Sequence, residues 1–117
     1  MRAVLAGSAA VFLVAAALAA GKLTPSEIQA TFFNGQPFIA STPQGIRYKM
    51  VFTPDGKMTR EPASKSGAKS EGTWKLSKDG YCTTWKNGPQ NCFAVHNTSD
   101  NKWSIMKGTT SIATWTK

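Results

Sequence analysis

From Ile46 onward, apolar residues fall on every second position. Ile46, Tyr48, Met50 and Phe52 alternate with Arg47, Lys49, Val51 and Thr53. This is the period of a half-buried strand, whose side chains point to opposite faces in turn. In Thr53-Pro54-Asp55-Gly56 proline presets φ and glycine accepts a positive one, which makes a turn. A return strand at about 57–61 then completes a hairpin. Residues 62–70 hold no large apolar group and read as a flexible connection or a ligand gate. Gly72-Thr73-Trp74-Lys75-Leu76 predicts the next strand, with Trp74 and Leu76 facing inward, and Lys78-Asp79-Gly80 turns the chain. Residues 81–86 and 91–96 make a hairpin around Asn87-Gly88-Pro89. Folding it about Asn87 sets Cys82 opposite Cys92 and puts Tyr81, Trp85, Phe93 and Val95 on the other face. That apolar face is the core side, so the cysteines and His96 belong outside. After a polar turn at 97–101, segments 103–106 and 112–115 supply the last two strands.

Ahead of the alternation the period is helical. Thr24-Pro25-Ser26-Glu27 has the form of a capping box, with Thr24 as N-cap, Pro25 at the first helical position and Glu27 reaching back. Ile28 and Phe32 share one face, and Asn34-Gly35 supplies a left-handed stop. A short helix of two to three turns follows, packed as a lid or plug by Ile28, Phe32 and Phe33. The pattern as a whole predicts a mainly β domain: one short N-terminal helix, then about seven antiparallel strands in a meander. Curling that meander toward a barrel buries its apolar face and removes its edges.

Residues 1–20 follow neither pattern. Arg2, an uncharged Ala-rich stretch centred on Val11-Phe12-Leu13-Val14, and Ala17-Leu18-Ala19-Ala20 have the layout of a cleaved secretory signal peptide. No cysteine lies near the cut to carry a lipid anchor, so no stable membrane attachment is expected after cleavage. Residues 21–117 are then one small domain, periplasmic or secreted. A domain of that size buries only about 60–65% of its unfolded surface, so a covalent staple matters. The chain has 2 Cys, and an oxidising compartment favours a structural disulfide between Cys82 and Cys92. Closing so short a loop stabilises by about 2–3 kcal/mol in the chain-entropy model.

Charge narrows the partners. The chain has 14 Lys+Arg against 6 Asp+Glu, a net charge of +8. A basic protein outside the cytoplasm is drawn to anionic envelope material or to acidic proteins, although the same charge also simply confers solubility. If Tyr48 and Met50 face in, Arg47 and Lys49 face out, and Lys57 and Lys75 on the neighbouring strands can extend a basic patch. Lysines on strands also block edge aggregation. Nucleic-acid readout on such a sheet would want aromatics exposed among the cations, whereas here the aromatics alternate to the inner face, so no nucleic-acid partner is expected.

Catalytic chemistry finds little support. His96 is the only histidine, and it has no evident Ser or Cys nucleophile. Asp55, Asp79 and Asp100 sit in turns and Glu27 fits the helix cap. Only Glu61 and Glu71 flank one loop, and no spacing makes them converge. No metal-ligand cluster and no cofactor are expected, and haem ligation by His96 with a methionine is the remote exception. The other candidate site is aromatic. Trp74, Trp85, Trp103 and Trp115 fall on four of the predicted strands, where they either line a cavity for an apolar ligand or fill the interior. Asn97-Thr98-Ser99 is a formal glycosylation sequon, relevant only in a eukaryotic secretory pathway.

Three short motifs lie along this pattern: Asp55-Gly56, Glu71-Gly72-Thr73-Trp74, and Cys82-Thr83-Thr84-Trp85 leading to Cys92-Phe93. With them the chain from Leu23 onward resembles a family of small exported bacterial, mainly proteobacterial, proteins without an assigned function. The resemblance implies a periplasmic or secreted domain and no catalytic motif. Through Gly72-x-Trp74 the chain is also faintly similar to calycin barrels such as lipocalins and avidins, though in lipocalins that motif opens the first strand and here it falls mid-chain. The expected function is a non-enzymatic binding module that contacts a small apolar ligand or an anionic envelope surface. The alternative is a protein-interaction or inhibitor module acting on an acidic extracytoplasmic protein.

Overall fold

The computed structural model describes residues 21–63 and 68–117. The leader expected over residues 1–20 lies outside them, as does the middle of the 62–70 connection. The helix forms as its caps dictate. In α1 (Pro25–Phe32) the Glu27 amide donates to Thr24 Oγ1 at 3.2 Å and the Thr24 amide donates to Glu27 Oε1 at 2.7 Å. Two donors that a helix start leaves orphaned are thereby satisfied. Gly35 ends the turn at φ +87° and its amide donates to the Phe52 carbonyl at 2.8 Å, which ties the helix exit to the barrel wall.

Eight strands follow: β1 (Phe38–Ser41), β2 (Arg47–Phe52), β3 (Lys57–Pro62), β4 (Ser70–Leu76), β5 (Tyr81–Trp85), β6 (Gln90–Ser99), β7 (Lys102–Lys107) and β8 (Thr110–Thr116). Each pairs antiparallel with the next, and β1 pairs with β8 through Ala40 opposite Trp115, closing the barrel. Seven of these strands match the alternation in the sequence. The eighth, β1, lies between Pro37 and Pro43 and is too short for its alternation to stand out. Without it the sheet would keep two open edges. In the β5–β6 hairpin Tyr81 faces Phe93 and Cys82 faces Cys92, and the two cysteines are joined by a disulfide.

The core lies between α1 and the barrel interior. Ile28 and Phe32 are completely buried on one helical face. The Phe32 ring meets Phe38, Trp103 and Trp115 edge-on, at centroid distances of 5.1, 4.9 and 4.9 Å. Phe33 stacks on Phe52 at 4.5 Å and touches Trp74 and Tyr81. Lys117 Nζ donates to the Thr31 carbonyl at the end of the helix and sits 5.7 Å over the Phe32 ring, a cation where the helix dipole is negative. The helix therefore plugs one end of the barrel.

Candidate functional site

Plugging one end leaves the other to be closed by strand side chains alone. At that end β1 finishes, β2 begins, β3 finishes and β5 finishes, so inward positions near these termini converge on a mouth. A cavity of about 180 Å³ opens there. Phe52, Tyr81 and Trp115 form its floor toward the plug, Phe93, Ile105 and Ala113 its wall, and Tyr48, Arg60 and Trp85 stand nearer the opening. Wider grooves elsewhere, such as the one between α1 and the β6–β7 turn, are more open to solvent and are lined by the outside of the fold.

Arg60 is the residue that the sequence reading did not single out. Its signal was there: Met58 and Arg60 alternate with Lys57 and Thr59, which places an arginine at an inward position. The strand pairing puts Arg60 opposite Met50 on one side and Ser70 on the other. Its guanidinium carbon lies 4.8 Å from the Tyr48 ring centroid and 4.5 Å from that of Trp85. Two aromatic faces hold the cation in place by attraction to their π-clouds. No described carboxylate pairs with it. Glu61, the next residue, points outward to Lys49 at 3.7 Å.

Two buried hydroxyls line the same cavity. Thr83, only 6% exposed, precedes Trp85 by one step on the inner face of β5, and Tyr81 lies one step deeper. Among the described residues neither hydroxyl has a side-chain hydrogen bond. Burial pushes the Tyr81 phenol well above the usual tyrosine range, so it stays neutral. The rim is apolar. Ile46, in the β1–β2 connection, is 51% exposed and Ile112 is 37% exposed. Ile112 is the unpaired residue of a bulge, because Ile105 faces Ala113 while Met106 already faces Ser111. Bulges at barrel rims turn a side chain away from the regular alternation.

The four tryptophans divide between the two ends. Trp85 lines the cavity, and Trp115 lines its floor while also meeting Phe32 of the plug edge-on. Trp103 packs edge-on against Phe32 of the plug. Trp74 packs on Phe33 and donates from Nε1 to the Thr53 carbonyl at 2.9 Å, which secures the β2–β3 turn. Gly72, two residues before it, permits close approach of β5: a Cβ there would lie 2.5 Å from the Thr84 carbonyl oxygen and 3.1 Å from Trp85 Cα.

The basic residues divide as well. Arg47, Lys49, Lys57 and Lys75 are all exposed. The register, however, puts Arg47 at the mouth end of β2, whereas Lys57 opposite Thr73 and Lys75 beyond it lie toward the plugged end. Glu61 opposite Lys49 and Glu71 opposite Thr59 intervene on the outer surface. The patch is thus two pairs of cations separated by carboxylates. His96 bridges by its backbone to Lys22 in the segment that leads into α1, and no group of three potential metal ligands occurs among the described residues. Glu27 is held by the helix cap and Asp79 by Lys22 at 3.3 Å. Asp55 takes a hydrogen bond from Thr53 that holds its carboxyl below the usual range. No helix among the described residues is long and apolar enough to cross a membrane. Comparison of the chain with family models, with curated proteins and with solved structures finds no match.

Proposed function

We propose that this protein is an extracytoplasmic binding module that takes a small apolar ligand through the open end of its barrel. The observation that carries this reading is the cavity itself, an aromatic and aliphatic concavity left where the plug does not reach. Ligand sites are concave, largely apolar and supplied with a few polar groups that fix orientation. A dry apolar cavity of about 150 Å³ holds benzene, so about 180 Å³ suits one ring or a short alkyl chain. The exposed Ile112 carries the apolar lining outward to the rim. The lining offers a cation, hydroxyls and rings, and no described carboxylate, imidazole or thiol to move a proton or attack a substrate. That lining supports a reading of binding without turnover. The Cys82–Cys92 disulfide suits an oxidising compartment. The divided basic surface gives less support to docking on an anionic envelope.

The test is a titration with toluene, a neutral probe of one ring, followed by NMR. Saturable shifts are expected at the Trp85 indole and the Ile105 and Ile112 methyls, with Trp74 and Trp103 unmoved. Ala113→Leu fills the wall and abolishes the shifts while the thermal melt is retained. Shifts centred on Trp103, or none that saturate, refute the proposal.

A further inference from the structure

The cavity holds one feature that an apolar ligand alone does not use. Arg60 is half-buried at an inward position of the barrel, and a guanidinium partly withdrawn from water is ordinarily matched by a carboxylate. Arg60 has no such match among the described residues. Glu61 faces outward to Lys49, and Glu71 lies on the outer side of β4. The cation is oriented instead by Tyr48 and Trp85, at 4.8 and 4.5 Å from their ring centroids. Stacking engages the faces of the guanidinium and leaves its edges, where the N–H donors are, for another partner. Thr83, buried one step below Trp85 and without a side-chain hydrogen bond among the described residues, adds a hydroxyl on the same lining.

We propose that the ligand is an amphipathic monoanion, a small aromatic or short-chain carboxylate, whose carboxylate is taken by the edge of Arg60 while its apolar part descends toward Phe93, Ile105 and Trp115. This inference rests on the binding-module reading above and adds the headgroup to it. A planar carboxylate matches the fork of an arginine with two parallel N–H···O bonds, which a hydroxyl or an amine cannot form. The apolar floor excludes a ligand that is anionic throughout. The two stacked rings pre-orient the cation, so little side-chain freedom is lost on binding.

Benzoate, benzyl alcohol and benzylamine share one ring and differ only in the headgroup, so they separate the two readings when titrated at pH 7 with the NMR signals of Trp85 and Ile112 as readout. Benzoate is expected to bind about tenfold more tightly than benzyl alcohol, and protonated benzylamine more weakly than either. Arg60→Gln brings benzoate down to the benzyl alcohol level and leaves benzyl alcohol itself within twofold. Arg60→Lys keeps the charge without the fork and falls between. If benzyl alcohol binds at the mouth and benzoate binds no better, the carboxylate assignment is wrong and the apolar pocket stands. If none of the three shifts these signals, both fall. A melting temperature that stays the same in Arg60→Gln separates loss of binding from loss of fold.

Discussion

Replacing Phe32 by alanine tests whether the helix is structural closure or a removable lid. The ring is 0% exposed and touches three aromatic rings edge-on, within 5.1 Å between centroids. Truncating a buried phenylalanine costs about 3–5 kcal/mol from lost transfer energy and the cavity left behind. Three edge contacts of about 0.5–1.5 kcal/mol each overlap with that figure and place this site toward its upper half. A loss of about 4 kcal/mol is a large fraction of the roughly 5–15 kcal/mol that holds a domain together. It corresponds to a fall of about 15–30 °C in melting temperature at this size. Calorimetry and urea unfolding followed by circular dichroism measure it, with Ile46→Ala at the exposed rim as a control that changes stability by no more than about 0.5 kcal/mol. A loss below about 1 kcal/mol for Phe32→Ala, with the midpoint lowered no more than in the control, would mean that α1 undocks without disturbing the barrel. The account of the closed end would then be refuted.

Three further outcomes follow from the same contacts. Reducing Cys82–Cys92 frees a loop closed over a sequence separation of 10 and is expected to lower stability by about 2–3 kcal/mol. A melt in dithiothreitol that matches the oxidised one would contradict this. Gly72→Ala forces a Cβ to within 2.5 Å of a backbone oxygen of the next strand. An overpacking cost of about 1–3 kcal/mol is expected by urea unfolding, and no change would show that β4 and β5 can separate freely. Tyr81 is held neutral by burial, so its folded pKa lies above its unfolded value near 10. The folded state binds this proton more tightly, so its contribution is present below pH 10 and is lost as pH rises through the folded value. Ultraviolet titration should show one of the 2 Tyr ionising only as the protein unfolds, and Tyr81→Phe should flatten the alkaline loss of stability. Ionisation of both tyrosines in the folded state would sink the argument.

Much of the fold is legible along the chain because its determinants are local. Alternation decides which face of β2 and β4 is buried, the Thr24–Glu27 box starts the helix, and Gly35 stops it, whereas in β5 Cys82, outward by pattern, is buried along with Tyr81 and Thr83. The disulfide register follows from the same logic, since a hairpin turning at Asn87 leaves Cys82 no other partner row than that of Cys92. β1 was missed for the opposite reason. Its four residues are too few to show an alternation, and although they pair with the neighbouring β2, their place as the closing strand depends on β8 at the far end of the domain, which leaves no local trace.

The site divides along the same line. Period two already marks Trp85 and Arg60 as inward residues, because an alternating strand has only two faces. It says nothing about height along the barrel axis. Height depends on which end α1 plugs and on how the strands are staggered, and both are properties of the closed sheet. For that reason Trp103 and Trp74, equally inward by pattern, are consumed in packing the plug, while Trp85 and Trp115 remain at the cavity. For the same reason Arg47, Lys49, Lys57 and Lys75, all outward by pattern, are spread over two ends with Glu61 and Glu71 between them. The sequence determined the helix, seven of the strands, most of their faces and the covalent staple, which are set by neighbours a few residues away. Only the closed barrel decided which inward side chains meet, because that depends on stagger and closure summed over the whole circuit of eight strands.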